Sequence, residues 1–425
     1  MLTRRIRHRS LEFNAGLRSI WEMPDHVSST PMQLLPFPYH NDVCTHLKRN
    51  ERGLWQWFMS DNFSTADAEQ SKLELLKSCY RMRAESHAEL YQLANEAAER
   101  LELNLPITLY QAQMAGAAPN AALYFFTDEL CVVLSGSIEE LLEPDELRAL
   151  FGHEFAHHRL YTENHGEFFA ASRLLGWCAQ QPDCHEAYVE TARRFQLQVE
   201  LYADKGAAFV SDGADAAMSS LIKVSTGLKT VTVGDYVEQA REILSKDQSG
   251  SEGITHPEIY LRVQALNETL DDPAGYSRLV RGKLDSGRLD ILDQRELATL
   301  TLNIAQTLGK DPRFRTDEHK ALLREYFPSF AWDAVSRETN VLREPLADST
   351  DLTQTYLAYV LLDLATADRD DSYPLLGPIL LFADELGIHK PVEATIRKEL
   401  KLRKADTDRA LGAARDAEET EQPHD

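Results

Sequence analysis

The sequence predicts an α+β fold that is mostly helical, with a small antiparallel sheet packed on one helix and an all-helical region after it. Over most of the chain, apolar residues recur at three- and four-residue steps, which is the spacing of one helix face. Residues 107–134 depart from this spacing, because short runs rich in β-branched and aromatic residues alternate there as strands do. So small a group of strands excludes the repeated β-α alternation of a doubly wound fold.

The order of the elements follows from where these two periods change. Helical spacing covers residues 66–103, and Pro106 ends it. Strands are then predicted at 107–111, 121–126 and 131–134, and a hairpin turn joins the last two. Helical spacing returns afterwards and recurs, between loops, to about residue 403.

Four segments are predicted on this basis. Residues 1–65, which are aromatic and proline-bearing, are expected to be irregular. Residues 66–271 form a domain with the strands and with a helix over 144–161, whose acidic first turn suits the helix dipole. Residues 272–404 form an all-helical domain, and residues 405–425 form a charged tail that is expected to be disordered.

Composition and charge limit the classes of function. The 425 residues are 43% hydrophobic and 27% charged, which is typical of a folded protein. The formal net charge of −23 disfavours a role in nucleic-acid binding. No run reaches the ~20 apolar residues of a membrane-spanning helix. The basic N-terminus lacks the apolar run of a secretory signal, so neither a signal nor a transmembrane segment is predicted.

The cysteines and the N-terminus bear on location. The five cysteines are odd in number and include no CxxC pair, a pattern typical of free thiols in a reducing compartment. A cytoplasmic protein is therefore predicted. The basic first residues could contact a membrane surface or an acidic partner, although a solvated terminal segment is the preferred interpretation.

The sequence His-Glu-Phe-Ala-His at positions 153–157 is an HExxH motif. Four residues of helix turn about 400°, so that His153 and His157 lie on one face and can both bind a zinc ion. Glu154 lies about 100° further round, where its carboxylate can reach a water on that ion. Two ordinary histidines are the alternative. His158 is expected to be an exposed neighbour on a different face.

A catalytic zinc site needs a third protein ligand and an open position. Glu200 is the candidate, since Glu200 and Asp204 share one side of an otherwise apolar predicted helix. Unpaired acids on such a face would be costly to bury. Zinc bound by Glu200, and a ligand imidazole bonded to Asp204, would remove that cost. A solvated acidic stripe, or pairing of Asp204 with Arg193 or Lys205, is the alternative.

These residues resemble a known family. The motif at 153–157, Glu-Leu-Tyr-Ala-Asp at 200–204 and Thr-His-Pro at 255–257 are similar, in kind and order, to metallopeptidase family 48, which includes HtpX and the CAAX prenyl endopeptidase. The resemblance covers residues 85–270, and its combination of motifs is more specific than HExxH alone. It implies a zincin-type (gluzincin) core in which the sheet packs on the HExxH helix.

The resemblance also implies roles for individual residues. One zinc ion would be bound by His153, His157 and Glu200. Glu154 would act first as general base and then as general acid. Asp204 would orient a ligand histidine from the second layer of the site.

Further residues are implied to contact the substrate. His256 would stabilise the oxyanion of the tetrahedral intermediate; a helix N-terminal residue with local partners is its alternative. Asn120 would hold the substrate backbone, and Ala121 and Ala122 would begin an edge strand to which an extended peptide adds. A turn asparagine is the alternative for Asn120.

The chain also departs from the family. The well-known members are embedded in membranes, whereas this chain lacks a spanning segment, so a soluble member is predicted and a prenyl-protein role is in doubt. Residues 361–368 and 382–387 resemble the TerB-type helical module, which implies a possible protein partner for the C-terminal helical domain.

The sequence therefore predicts a zinc-dependent metalloendopeptidase that hydrolyses extended or unfolded polypeptides, with Glu154 activating the water. The alternative is a zinc-stabilised interaction protein, catalytically weak or latent, that acts through its helical C-terminal domain.

Overall fold

The computed structural model describes most of the chain. The described residues are 34–61, 65–113, 117–247, 250–269, 284, 288–332, 342, 346, 351–368 and 373–421. The described residues from 36 onward form one compact unit. The first 33 residues and the predicted domain boundary after residue 271 lie outside the described ranges, so that the division into domains stays a prediction.

Three helices precede the first strand: α1 (Pro38–Asn50), α2 (Arg52–Asp61) and α3 (Thr65–Ser78). Part of the segment expected to be irregular is therefore helical. The proline that suggested an irregular chain begins α1, where its fixed φ suits the first turn and no N–H is needed. The helix buries an apolar face that includes Val43 and Leu47.

The sheet has four strands in the order β1-β2-β4-β3. They are β1 (Cys79–Arg81), β2 (Ile107–Ala112), β3 (Asn120–Phe125) and β4 (Leu130–Ser135). β3 and β4 form the predicted antiparallel hairpin. β2 pairs with β4 in parallel, so the sheet is mixed and the prediction of a purely antiparallel sheet was wrong.

The burial of the strands explains this order. β4 is buried along nearly its whole length, as suits a central strand, and it lies between β2 and β3. β3 alternates between exposed and more buried residues and forms an edge of the sheet. One face of that edge contacts the helix that carries the HExxH motif.

Five helices follow β1 in the chain up to residue 210, and of these α4 and α6 contact the sheet. They are α4 (Ala88–Arg100), α5 (Ile138–Leu141), α6 (Pro144–Thr162), α7 (Glu167–Ala179) and α8 (Glu186–Val210). α6 carries the HExxH motif and begins with a capping box formed by Glu143 and Glu146. α6 and α8 cross closely at Gly152, where a Cβ atom would lie 3.1 Å from the carbonyl oxygen of Gly206. A glycine at this point lets the two backbones meet.

The next helices are α9 (Ala214–Thr226), α10 (Val233–Lys246) and α11 (Ile259–Thr269). Together with α6 and α8 they contribute residues to one apolar cluster. A buried ion pair joins α9 to the start of α6, since Lys223 Nζ lies 2.8 Å from Glu146 Oε2. α9 and α11 therefore contact the α6–α8 pair directly, and α10 packs on α9 and α11.

The described helices after residue 288 are α12 (Ile291–Leu308), α13 (Asp317–Tyr326), α14 (Asp351–Ala365), α15 (Leu376–Glu385), α16 (His389–Glu399) and α17 (Lys404–Glu421). They enclose one apolar core. α17 covers most of the predicted disordered tail and packs on α15, where a Cβ on Gly377 would lie 2.4 Å from the carbonyl oxygen of Ala410. The described part of the tail, residues 405–421, is thus helical.

Polar contacts tie α12 to the elements before it. Asp290 caps α12 and accepts a hydrogen bond of 2.6 Å from the hydroxyl of Tyr39. The N–H of Ile291 donates to the Thr191 hydroxyl. None of the helices in the described ranges combines the length and apolar content that crossing a lipid bilayer requires.

Candidate metal centre

α6 presents the two motif histidines on one face, one turn apart. The Nε2 atoms of His153 and His157 lie 3.3 Å from each other, and both rings are partly buried. This close approach follows from helical geometry alone, since residues four apart lie on the same side. Two imidazole nitrogens therefore point to one small volume.

α8 brings a carboxylate to the same volume. Glu200 Oε2 lies 3.5 Å from His153 Nε2, and Glu200 Oε1 lies 3.7 Å from His157 Nε2. One ligand atom from each of the three residues lies within 4.8 Å of the others. Glu200 is distant from the two histidines in sequence, and the close crossing of α6 and α8 at Gly152 brings it next to them.

The three residues fit a divalent cation. Glu200 is 3% exposed, and its Oε2 makes no hydrogen bond within the described part of the chain. A buried carboxylate oxygen without a donor is costly, and a cation would satisfy it. Two imidazoles and one carboxylate are also a donor set of catalytic zinc sites, which keep one position open.

A second layer of charge lies behind His153. Its Nδ1 is 3.1 Å from Asp204 Oδ1, and Arg262 donates to both oxygens of Asp204, at 2.6 and 2.8 Å. Asp204 is therefore paired with His153 and Arg262. Of the two alternative partners, Arg193 bonds instead to a carboxylate of α8, and Lys205 lies over an aromatic ring.

The role of Arg262 was not predicted from the sequence. The sequence feature that could have indicated it is Asp204, an acid on an otherwise apolar helix face. A carboxylate buried there needs a positively charged partner in addition to an imidazole. Arg262 is itself 6% exposed and lies on α11, five residues after the end of the Thr-His-Pro motif. Its guanidinium holds both oxygens of Asp204 and so holds the carboxylate in a single orientation.

The electrostatics of the cluster favour positive charge at its centre. Burial disfavours the imidazolium of His153, but the neighbouring carboxylates of Asp204 and Glu200 outweigh burial and raise the pKa of His153 to about 10. Burial lowers the pKa of His157 to about 4. Burial alone would raise the pKa of Glu200, yet the two histidines hold that pKa at about 2. The acids therefore carry negative charge into an enclosed site.

Glu154 faces the sheet. Its side chain is 6% exposed, and its Oε2 accepts a hydrogen bond of 2.8 Å from the backbone N–H of Leu123. Burial raises the pKa of the Glu154 carboxyl. This hydrogen bond places the carboxylate between the imidazole pair of α6 and the edge strand β3, a link that the sequence alone did not indicate.

The edge strand offers backbone groups on the same side. Because the N–H of Leu123 points out of the sheet towards α6, strand alternation directs the backbone groups of Ala121 to the same edge. Asn120 and Ala122 have exposed side chains, whereas that of Ala121 is buried. The structure thus brings all three predicted residues to the edge beside Glu154.

His256 lies on the loop that precedes α11. Its Nε2 is 3.4 Å from Glu200 Oε2, and its Nδ1 lies 2.9 Å from the Thr255 hydroxyl. The side chain is 59% exposed, so that a bound molecule could reach it. The structure therefore brings His256 to the cluster, with a local partner for its other nitrogen.

Two neighbours on α6 differ from expectation or were missed. His158 is 1% exposed and bonds through Nε2 to the carbonyl oxygen of Phe126 at 2.8 Å, so its predicted exposure was wrong. That bond ties α6 to the end of β3. Tyr161 packs against His157, with 6.3 Å between ring centroids, and its position four residues after His157 is the signal that could have indicated it.

Comparisons with known proteins agree with this geometry in part. The model of peptidase family M48 matches residues 84–175, a range that includes His153, Glu154 and His157. Searches of curated proteins and of solved structures give no match. The family match supports a peptidase hydrolase of the M48 metallopeptidase family. Glu200, Asp204 and His256 lie outside the matched range, and the HtpX or CAAX type and the TerB likeness stay predictions.

Proposed function

We propose that the chain is a zinc-dependent metalloendopeptidase that hydrolyses peptide bonds of extended or unfolded polypeptides. The observation that carries the proposal is the meeting of His153, His157 and Glu200 beside an edge strand, with Glu154 between the two. Metal ligands, a carboxylate and a peptide-binding edge are the three parts that this reaction needs.

His153, His157 and Glu200 would hold one zinc ion. When bound, zinc would supply Lewis acidity, which makes water a better nucleophile and polarises the scissile carbonyl. Arg262 fixes Asp204, and Asp204 fixes the ring of His153 through Nδ1, so that Nε2 faces the other ligands. The chain's own residues therefore orient its ligands.

Glu154 would move the proton. As general base it takes a proton from the attacking water, and as general acid it gives that proton to the nitrogen that leaves. Its hydrogen bond to the N–H of Leu123 keeps the carboxylate next to the edge strand. A peptide on that strand would present its carbonyl carbon near the same carboxylate.

The substrate would add to β3 as a further strand. Main-chain groups of Ala121, with the exposed side chains of Asn120 and Ala122 alongside, would hold an extended backbone, which is why unfolded chains are the proposed substrates. Folded proteins keep their backbone groups paired and would bind poorly.

His256 would donate a hydrogen bond to the oxygen on which negative charge develops. Its Nε2 lies beside the ligand carboxylate and its side chain is exposed enough for contact with substrate. A donor aimed at such an oxygen contributes about 3 kcal/mol to the transition state.

The test is cleavage of a casein-like unfolded substrate by the purified protein, with and without a chelator, beside Glu154→Gln. Glu154→Gln removes the base but no metal ligand, so we expect zinc content near wild type and activity at least about a hundredfold lower. Chelation should abolish wild-type activity, and added zinc should restore it. Equal cleavage by Glu154→Gln would exclude the proposed mechanism.

The alternative of a catalytically weak or latent interaction protein stays a prediction, as do the cytoplasmic location and a protein partner for the helical C-terminal region. A zinc-loaded wild type that cleaves no member of a broad peptide library would favour the alternative. Activation by removal of the C-terminal helices would instead indicate latency.

A further inference from the structure

We propose that Arg193 is a positioning residue, which holds the loop bearing His256 in register with the candidate metal centre. The inference rests on the proposed function for its catalytic consequence. Arg193 lies seven residues before Glu200 on α8, which is two helical turns, about 10 Å, on the same side of the helix. Its side chain is only 12% exposed and faces the same segment as Glu200 does.

Arg193 bonds to two carbonyl groups of that loop. Its Nη1 donates to the carbonyl oxygens of Ser251, at 3.2 Å, and Gly253, at 3.0 Å. Its Nε and Nη2 donate to the two carboxylate oxygens of Glu190, at 2.9 and 2.7 Å. Glu190 is 2% exposed, and its ion pair holds the guanidinium of Arg193 in the orientation in which it also bonds the loop.

The loop transmits that position to His256. A Cβ on Gly253 would lie 2.1 Å from the carbonyl oxygen of His256, so the turn between these residues is closed tightly. Glu258 Oε1 accepts hydrogen bonds from the N–H groups of Glu252 and Gly253, at 2.9 and 3.1 Å. A turn this compact moves as one piece, and Arg193 is its anchor on the helix that carries Glu200.

The polar side of α8 therefore meets the segment before and within α11 at three levels. Arg193 bonds the loop, Glu200 lies beside His256, and Asp204 pairs with Arg262. The last two contacts involve the site itself. The first lies outside it, which makes Arg193 a residue that can be changed without removing a candidate ligand.

Arg194 provides a matched control. It is buried to the same degree as Arg193 and also bonds Glu190, at 2.8 Å. It also bonds Asp293, at 2.8 Å, and the carbonyl oxygen of Arg288, both of which lie towards α12 and outside the loop. A change at Arg194 should therefore cost similar stability and leave His256 in place.

The kinetic test compares Arg193→Gln with Arg194→Gln in the full chain loaded with zinc. We expect Arg193→Gln to lower kcat about tenfold or more with KM little changed, since a misplaced catalytic group can cost about a hundredfold in rate. In a His256→Ala background, Arg193→Gln should have almost no further effect. Equal loss in the two arginine variants, or independent effects in the double variant, would mean that Arg193 only supports the fold.

The second readout does not need activity. Amide hydrogen exchange within residues 251–258 should accelerate in Arg193→Gln, whereas Arg194→Gln should accelerate exchange near residues 288–293. If the wild type cleaves nothing, the proposed function fails, while this exchange measurement still decides whether Arg193 holds the loop. Unchanged exchange at 251–258 in Arg193→Gln would overturn the inference.

Discussion

The carboxylate of Glu200 is the part of the candidate centre that comes from a distant point in the chain. One of its oxygens lies 3.5 Å from His153 and the other lies 3.7 Å from His157. The negative charge is therefore shared between the two imidazoles. Burial without a full set of donors makes this carboxylate unfavourable in isolation. The residue thus carries a cost in stability that a cation would offset.

We therefore expect Glu200→Gln to lose zinc while keeping the fold. The amide has the shape of the carboxylate but lacks its charge, so zinc per chain should fall from about one to well below one in a zinc-buffered solution. Elemental analysis of the purified protein measures this. The control is Glu186→Gln, an exposed acid on the same helix. Equal zinc content in the two variants would contradict the assignment of Glu200.

At the scale of elements, the local parts of the site could be predicted and the contacts between distant segments could not. The pairing of His153 with His157 follows from one turn of helix. The strand pattern likewise predicted the β3–β4 hairpin, whose partners are close in sequence. The parallel pairing of β2 with β4 joins strands with β3 between them in the chain, which a local pattern does not specify.

The same limit applies to burial of polar residues. His158 was expected to be exposed because its helix face differs from that of the ligands, yet the sheet covers that face as well and supplies the Phe126 carbonyl as a partner. Asp204 needed a buried cation, and several basic residues were available in sequence. Only the packing of α11 on α8 selects Arg262.

The crossing of α6 and α8 sets the spacing of the ligands, and Gly152 controls it. A Cβ at this position would lie 2.1 Å from Val210 Cγ2, which can rotate away, and 3.1 Å from the carbonyl oxygen of Gly206, which cannot. The helices would have to separate next to His153. Tight helix packing tolerates such insertions poorly, at about 1–3 kcal/mol.

We expect Gly152→Ala to lower both stability and zinc affinity. The overpacking cost exceeds the gain of about 1 kcal/mol that alanine brings to a helix, so the net loss of unfolding free energy should be about 1 kcal/mol. The matched control is Gly176→Ala on α7, where no atom lies within 4 Å of the added Cβ and stability should rise. Melting temperature and zinc competition measure the two effects. A rise in melting temperature for both variants would refute the role of the crossing.

At the scale of the whole molecule, stability against acid depends on a histidine far from the candidate metal centre in the chain. His40 on α1 is fully buried among the rings of Phe37, Phe168 and Phe195, which belong to the start of α1, to α7 and to α8. Burial, offset in small part by the backbone of Phe195, lowers the pKa of His40 to about 3. The three helices therefore meet around a group that must stay neutral.

The sign of the pH dependence follows from this pKa. In the unfolded chain the pKa is about 6.5, so between about pH 3 and 6.5 the unfolded state binds more protons than the folded state. Stability is then lost as the pH falls through this window, by about 1.4 kcal/mol per pH unit from this residue. At pH 5 the loss should reach about 2 kcal/mol relative to pH 7.

Replacing the titrating ring should remove that part of the acid sensitivity. Between pH 7 and 5 we expect the unfolding free energy of His40→Leu to fall by about 2 kcal/mol less than that of the wild type, whatever the variant's stability at pH 7. Chemical denaturation followed by circular dichroism at both pH values measures the difference. His165→Asn, at an exposed histidine with a left-handed backbone that asparagine tolerates, should keep the wild-type slope. Because the net charge of −23 is shared by all three proteins to within one unit, general charge effects cancel in this comparison. Parallel slopes for His40→Leu and the wild type would mean that acid weakens the fold elsewhere, at groups other than the histidine between α1, α7 and α8.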